Sequence, residues 1–146
     1  MSHSSAASQA DFSPSAESSW DEQERGTLME TLHMRVLERS AERTVVTMPV
    51  DGALQVVGIV HGGASAALIE TAASVAAREA APQGHVPVGM ELHVNHIKAV
   101  REGSITATAS PVHCGARSAL YRVDVHDGAG NLMATGTLRS MFTMVN

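Results

Sequence analysis

The stretch that decides the fold is Gly58-Ile59-Val60-His61-Gly62-Gly63-Ala64-Ser65-Ala66-Ala67-Leu68-Ile69-Glu70-Thr71-Ala72-Ala73-Ser74. It opens as the end of a short apolar strand and turns through His61-Gly62-Gly63. It then runs on without Gly or Pro until after Ala81. Alanine and leucine lose little side-chain freedom in a helix, so the pattern predicts one long helix from about Gly62 to Ala81. Apolar residues lie on nearly every side of it, which predicts a helix wrapped by a sheet. Glu70 falls in its middle, and a buried carboxylate must be paired or put to use. From residue type alone, Glu70 either pairs with a cation or caps a backbone group inside the fold, or it performs chemistry.

Working outward from the helix, Pro82-Gln83-Gly84 breaks the chain. Four strand candidates then follow: Val88 to about Val100, Ser104 to Cys114, Ser118 to Asp127, and Leu132 to Val145. Glu102-Gly103 and Asp127-Gly128-Ala129-Gly130 are turns between them, and links this short imply an antiparallel meander. Before the helix, Met34 to Leu37 and Arg43 to Val50 read as strands, and Trp20 to His33 reads as a short helix with an acidic start. Residues 1–19 are rich in Ser, Ala and Gln and cannot bury enough apolar surface to offset chain entropy, so a disordered tail is expected there. The expected architecture is α+β over residues 20–146: one domain, with a sheet curled around the central helix.

A net charge of -5 argues against nucleic acid as a partner. Cys114 is the single cysteine, so no intrachain disulfide is possible, and a reduced, cytoplasmic setting is expected. No apolar run reaches spanning length, and Met1-Ser2-His3-Ser4-Ser5 lacks the order of a signal peptide, so no membrane role is expected. Aromatic residues make up 3% of the chain, which limits recognition by stacking.

Within the helix, Glu70 and Ser74 are four apart and share a face, with Ala66 and Gly62 extending a track of small residues toward the N-terminus. His61-Gly62-Gly63 marks the positive, donor-rich end of the helix, where glycine lets a ligand approach the backbone. Such a place suits a developing oxyanion or a phosphate, though a simple tight turn has the same sequence. In the strand that follows, His93 and His96 point to opposite faces and cannot share one metal ion. No other His, Cys or carboxylate group has ligand spacing, and no metal is expected. Cys114 lacks a partner base and reads as a small strand residue.

Gly58-Ile59-Val60-His61-Gly62-Gly63-Ala64, with Glu70 eight residues after Gly62, resembles the hotdog-fold acyl-CoA thioesterases. The resemblance is closest to the branch of the 4-hydroxybenzoyl-CoA and 1,4-dihydroxy-2-naphthoyl-CoA thioesterases. It extends through Val88 to Lys98, Arg101-Glu102-Gly103 and His113 to Ser118, and so covers about Thr47 to Met144. It implies a hotdog fold, a long central helix wrapped by a curved antiparallel sheet. It also implies hydrolysis of an acyl-CoA thioester, with an aryl or other bulky acyl group, and no cofactor beyond the CoA of the substrate.

The same resemblance implies roles. Glu70 is the nucleophile or general base, the Gly62 N–H polarises the thioester carbonyl, and Gln55 touches the thioester or the attacking water. His61 and Ser74 line the pocket. Gly89, His96 and Lys98, with His113, Gly115 and Arg117, match positions that bind CoA. Lys98, Arg101 and Arg117 are expected at neighbouring strand ends, as a local cationic patch on an acidic chain. Val56-Val57 depart from that branch, which has Pro and an aromatic residue there.

Two other readings use the same fold: an enoyl-thioester hydratase or dehydratase, and a non-catalytic acyl-CoA-binding module. The chain lacks the Asp-x-Asn-Pro-x-x-His pattern of the former, and mere binding does not require a carboxylate facing the carbonyl. One consequence of the thioesterase reading is geometric. Eight residues of helix put Glu70 about 12 Å along the axis from Gly62. Both groups must lie about 3 Å from one carbonyl, so they come from different chains. A homodimer at least, with a homotetramer expected and active sites shared between subunits, follows from that separation and the resemblance.

Overall fold

A computed structural model describes residues 20–146; the expected N-terminal tail, 1–19, lies outside the described residues. The elements run α1 (Trp20–Glu24), α2 (Leu28–Thr31), β1 (Arg35–Glu38), β2 (Thr44–Pro49), α3 (Gly62–Ala80), β3 (His85–His96), β4 (Ser104–Cys114), β5 (Ser118–His126) and β6 (Leu132–Met144). All strands join one antiparallel sheet in the order β1-β2-β4-β5-β6-β3. The α+β expectation and the four-strand run after the helix hold. Trp20 to His33 is not one helix: Gly26, at φ +74°, interrupts it, and His33 at φ +54° ends it. A left-handed residue cannot sit inside a helix, so two single turns replace the one expected.

The central helix starts and stops where its chemistry dictates. His61 stands outside it in an extended conformation, and its Nδ1 accepts the Gly63 N–H at 2.8 Å. Ala81 is extended again, as the residue before a proline is disposed to be. Ala64, Ser65, Leu68, Ile69, Ala72, Ala73, Ala76 and Ala77 form the stripe that meets the sheet, and all are buried. Opposite them the sheet supplies Val46, Met48, Ile105, Ala107, Ala109, Val123, Val125 and Leu138. Alanines dominate the helical side because small side chains let the helix lie close against a concave sheet.

Tyr121 ties the layers together. It is 1% exposed, and its hydroxyl donates to the Ala41 carbonyl at 2.6 Å in the β1–β2 connection. The same oxygen lies 3.4 Å from the Ala76 carbonyl in α3 and accepts the Cys114 thiol at 3.4 Å. Burial, followed by the Cys114 contact, pushes this phenol above its ordinary pKa.

The other side of the helix corrects an expectation. Ala66, Ala67, Thr71 and Ser74 are half-buried, and Glu70 is exposed. The sheet covers one face of α3 and leaves the opposite face open, so the glutamate is not buried within its own chain. The second open feature is β3, twelve residues long and paired with β6 alone, which leaves its outer edge without a strand partner among the described residues.

Where β3 crosses β6, Gly136 faces the backbone of the edge strand. A methyl group there would lie 2.3 Å from the His93 carbonyl oxygen and 3.3 Å from Ile69 Cγ2. Gly136→Ala is therefore expected to cost about 1–3 kcal/mol of stability, the usual range for overpacking. The urea midpoint should fall with the slope unchanged, and a wild-type midpoint would show that β3 yields freely.

Candidate functional site

Three groups of residues emerge from the fold, and each gathers a different part of the sequence-level prediction. The first surrounds the N-terminus of α3. Gln55, Gly62, His96 and Lys98 line one depression of about 280 Å³ there, together with Ser65, Ile97 and Met133. Gln55, His61, Gly62 and His96 line an adjoining one of about 600 Å³ with Leu54, Val56 and Gly63. The turn before the helix makes this convergence. The Gln55 N–H donates to the Ile59 carbonyl at 2.8 Å and the Gly58 N–H to Gln55 at 2.9 Å, which turns Gln55 back toward the helix.

Of the N–H groups opening α3, Gly63 donates to His61 and Ala64 to the His61 carbonyl at 2.9 Å. The Gly62 N–H has no acceptor among the described residues. It is the free donor at the positive end of the helix, where an anionic oxygen is best stabilised. The His96 ring packs directly on it: a methyl group at Gly62 would stand 2.9 Å from His96 Nε2. His61 is a helix cap as well as a cleft residue, a role that His-Gly-Gly did not announce, because His is uncommon as a cap acceptor.

The second group lies farther along α3. Glu70 and Ser74 line a cleft of about 260 Å³ with Ala67, Thr71, Val75 and Arg78 of the same helix and Leu28 and Met29 of α2. Among the described residues Glu70 makes no hydrogen bond or ion pair. It forms neither the buried ion pair nor the backbone cap among these residues. Gly89 is what lets β3 pass so close to the carboxylate: a Cβ there would meet Glu70 Oε1 at 2.7 Å. Thr71 and Arg78 could have been anticipated from helical spacing. Leu28 and Met29 had no local signal, because their place beside Glu70 is a long-range contact.

The third group is the β4–β5 hairpin tip, where His113, Gly115 and Arg117 come together. The Gly115 N–H donates to the Ser118 carbonyl at 2.9 Å, and the His113 ring sits where a Gly115 Cβ would be, 2.9 Å away at Nε2. This tip corrects the expected cationic patch. Lys98 and Arg101 lie near the start of β4 and Arg117 beyond its end, so within one chain the length of an eleven-residue strand separates them. Successive hairpin turns alternate between the two ends of a sheet, and sequence proximity of turns hides that alternation.

Lys98 is also not a bare charge. It pairs with Asp127 at 2.9 Å, and that carboxylate additionally accepts the Ala129 and Asn131 N–H groups at 3.0 and 2.8 Å. The Lys98 hydrogen bond, then that from Asn131, holds the Asp127 carboxyl well below its ordinary range. Arg101 Nη1 donates to the Val57 carbonyl at 3.3 Å, bracing the turn that presents Gln55. His93, on the outer face of β3, contacts Glu91 and takes no part in the clefts. No helix among the described residues is long and apolar enough to cross a membrane.

Comparison with known proteins places the chain in a family. A profile of the Thioesterase superfamily matches residues 57–134, from the turn before α3 into β6. The chain is 44% identical over 103 residues to the Bacillus subtilis protein ComA2, covering 69% of this chain and 82% of that one. It is 32% identical over 114 residues to the 1,4-dihydroxy-2-naphthoyl-CoA hydrolase of Escherichia coli K12, covering 77% and 84% respectively. The crystal structure of thioesterase HI1161 from Haemophilus influenzae superposes with a TM-score of 0.81 at 27% identity, covering 84% of this chain and 87% of that one. With a family match over more than half of its length, the chain belongs to the thioesterase superfamily, and it is a hotdog-fold enzyme that hydrolyses thioesters.

Proposed function

We propose that this thioesterase acts on acyl-CoA, with Glu70 as its catalytic carboxylate and the Gly62 N–H as the group that polarises the thioester carbonyl. The single observation that carries the reading is Glu70 itself: a mid-helix carboxylate in an open cleft with no partner among the described residues. A group left unpaired in a cleft is available for chemistry. Glu70 either attacks the carbonyl carbon, expelling the CoA thiolate to leave a mixed anhydride that water opens, or takes a proton from the water that attacks. Either way negative charge develops on the carbonyl oxygen, and a pre-aligned N–H at a helix N-terminus stabilises it.

The two groups lie in separate clefts of one chain, about 12 Å apart along α3. The open edge supplies the remedy. His96, near one end of β3, packs on Gly62, and Gly89, toward the other, packs on Glu70. Pairing β3 with β3 of a second copy, antiparallel about a two-fold axis, sets the Gly62 half of one chain against the Glu70 half of the other. The same operation brings the Arg117 end of one chain toward the Lys98 end of its partner. It thereby rebuilds across the dimer the cationic patch that one chain lacks, for the phosphates of CoA. It also covers the half-exposed alanines of α3. Gln55 and His61 then hold the thioester or water beside Gly62, Ser74 lines the pocket beside Glu70, and Gly89, His96, Lys98, His113, Gly115 and Arg117 form the CoA side. No metal or further cofactor enters this scheme, and a cytoplasmic setting suits a substrate of that compartment.

Release of free CoA thiol from benzoyl-CoA tests the assignment. Glu70→Gln is expected to lower kcat by at least about a hundredfold, the scale of a lost acid–base group, with little change in the urea midpoint. Gly62→Pro removes the N–H at a helix position that tolerates proline, whereas Gly62→Ala makes a similar contact with His96 and keeps the donor. The proline variant should fall about a hundredfold below the alanine variant, the scale of a lost oxyanion donor. Wild-type turnover by Glu70→Gln would refute the reading.

A further inference from the structure

Ser140 is out of place in an aliphatic core. It is 1% exposed, and its side chain makes no hydrogen bond among the described residues. Thr44 and Ser65 are buried as deeply, but each has an outlet. Thr44 donates to the Ser40 carbonyl at 2.9 Å, and Ser65 reaches the Met133 sulfur at 3.9 Å. A buried hydroxyl without a partner is costly and calls for an explanation.

The sheet register brings Ser140 beside Glu70. It pairs with Gly89 of β3 on one side and with Ala119 of β5 on the other. Leu138 and Phe142, two residues away in either direction, are core residues, so Ser140 shares the face beneath α3. The neighbouring row, Leu92, Leu138 and Tyr121, is filled by large side chains. The row of Gly89, Ser140 and Ala119 holds only small ones, which makes it a slot under the helix. The Glu70 carboxylate enters that slot at the glycine: a Cβ on Gly89 would stand 2.7 Å from Glu70 Oε1. Directly opposed residues have Cβ atoms about 5 Å apart, so the Ser140 hydroxyl lies within reach of the carboxylate through a single water.

We propose that Ser140 is a positioning residue for Glu70: its hydroxyl donates to a water that binds one carboxylate oxygen and so fixes the other toward the thioester carbonyl. The inference rests on the reading of Glu70 as the catalytic carboxylate. Glu70 projects from the open face of α3 on a flexible side chain, and its own helix does not fix its direction. A carboxylate that must attack, or take a proton, within a narrow range of geometry gains from such a tether. A hydroxyl suits the task because it donates a hydrogen bond and brings no charge. A cation at the same place would make the carboxylate a weaker base.

The test measures kcat and KM for benzoyl-CoA, with the urea midpoint, in the wild type, Ser140→Ala, Ser140→Thr, Glu70→Gln and the double variant Ser140→Ala with Glu70→Gln. Removing a hydroxyl that no protein group holds leaves the fold intact, so Ser140→Ala should keep the urea midpoint. Its kcat should fall about tenfold, the scale of a hydrogen bond to a charged group, with KM unchanged. Ser140→Thr keeps the hydroxyl, and the small side chains of its neighbours leave room for the methyl, so most of the lost kcat should return. In the Glu70→Gln background Ser140→Ala should change nothing, because it acts through that carboxylate. Wild-type kcat in Ser140→Ala would overturn the proposal. So would a fall in the urea midpoint that kcat merely follows, no recovery by a folded Ser140→Thr, or an equal loss in the Glu70→Gln background. Wild-type turnover by Glu70→Gln would instead overturn the catalytic reading beneath it.

Discussion

The rise of an α-helix is the constraint on which this molecule turns. One rigid element carries both an N–H at Gly62 and a carboxylate at Glu70 that have no partner among the described residues, and helical geometry holds them about 12 Å apart. No side-chain rotation closes that gap, because a backbone N–H does not move. The proposed reaction, which needs both groups at one carbonyl, therefore calls for two helices.

Two features of the fold support the proposal of a second helix. The sheet covers one face of α3 and leaves the other lined by half-exposed alanines. Its edge strand β3 has twelve residues with no strand partner on the outer side among the described residues, an arrangement that proteins seldom leave uncovered. Two glycines bring the halves and the edge together: Gly62 admits the His96 ring, and Gly89 admits the Glu70 carboxylate. Small residues at these points are close-approach devices: a methyl at Gly62 would push the His96 ring aside, and one at Gly89 the Glu70 carboxylate.

Much of this was legible in the residues, and the failures have physical causes. The alanine run from Gly62 and the turn signals at Gly103 and Gly128 placed α3 and the strands after it to within a few residues, because periodicity and turn chemistry act locally. The resemblance to hotdog thioesterases rested on the same stretch and is matched by the family profile. Glu70 was expected to be buried because alanine is equally at home in a core and on a half-open face; composition does not tell them apart. The cationic patch failed within one chain because Lys98 and Arg117 belong to turns at opposite ends of the sheet. Gly26 split the first helix because a single left-handed residue outweighed the apolar pattern of Leu28, Met29 and Leu32. Leu28 and Met29 as walls of the cleft were invisible, since no local pattern encodes a contact across forty residues of chain.

The central claim is that each active site takes Gly62 from one chain and Glu70 from another. Mixing Glu70→Ala chains with differently tagged Gly62→Pro chains, each inert alone, tests it most directly. In the hetero-dimer one of the two sites recovers an intact Gly62 and an intact Glu70, while the other carries both lesions. After verified exchange at equal amounts, CoA release should return to about a quarter of the wild-type rate per chain, from half of the sites in the half of the dimers that are mixed. No recovery, with hetero-dimers demonstrated by capture on both tags, would contradict the shared site.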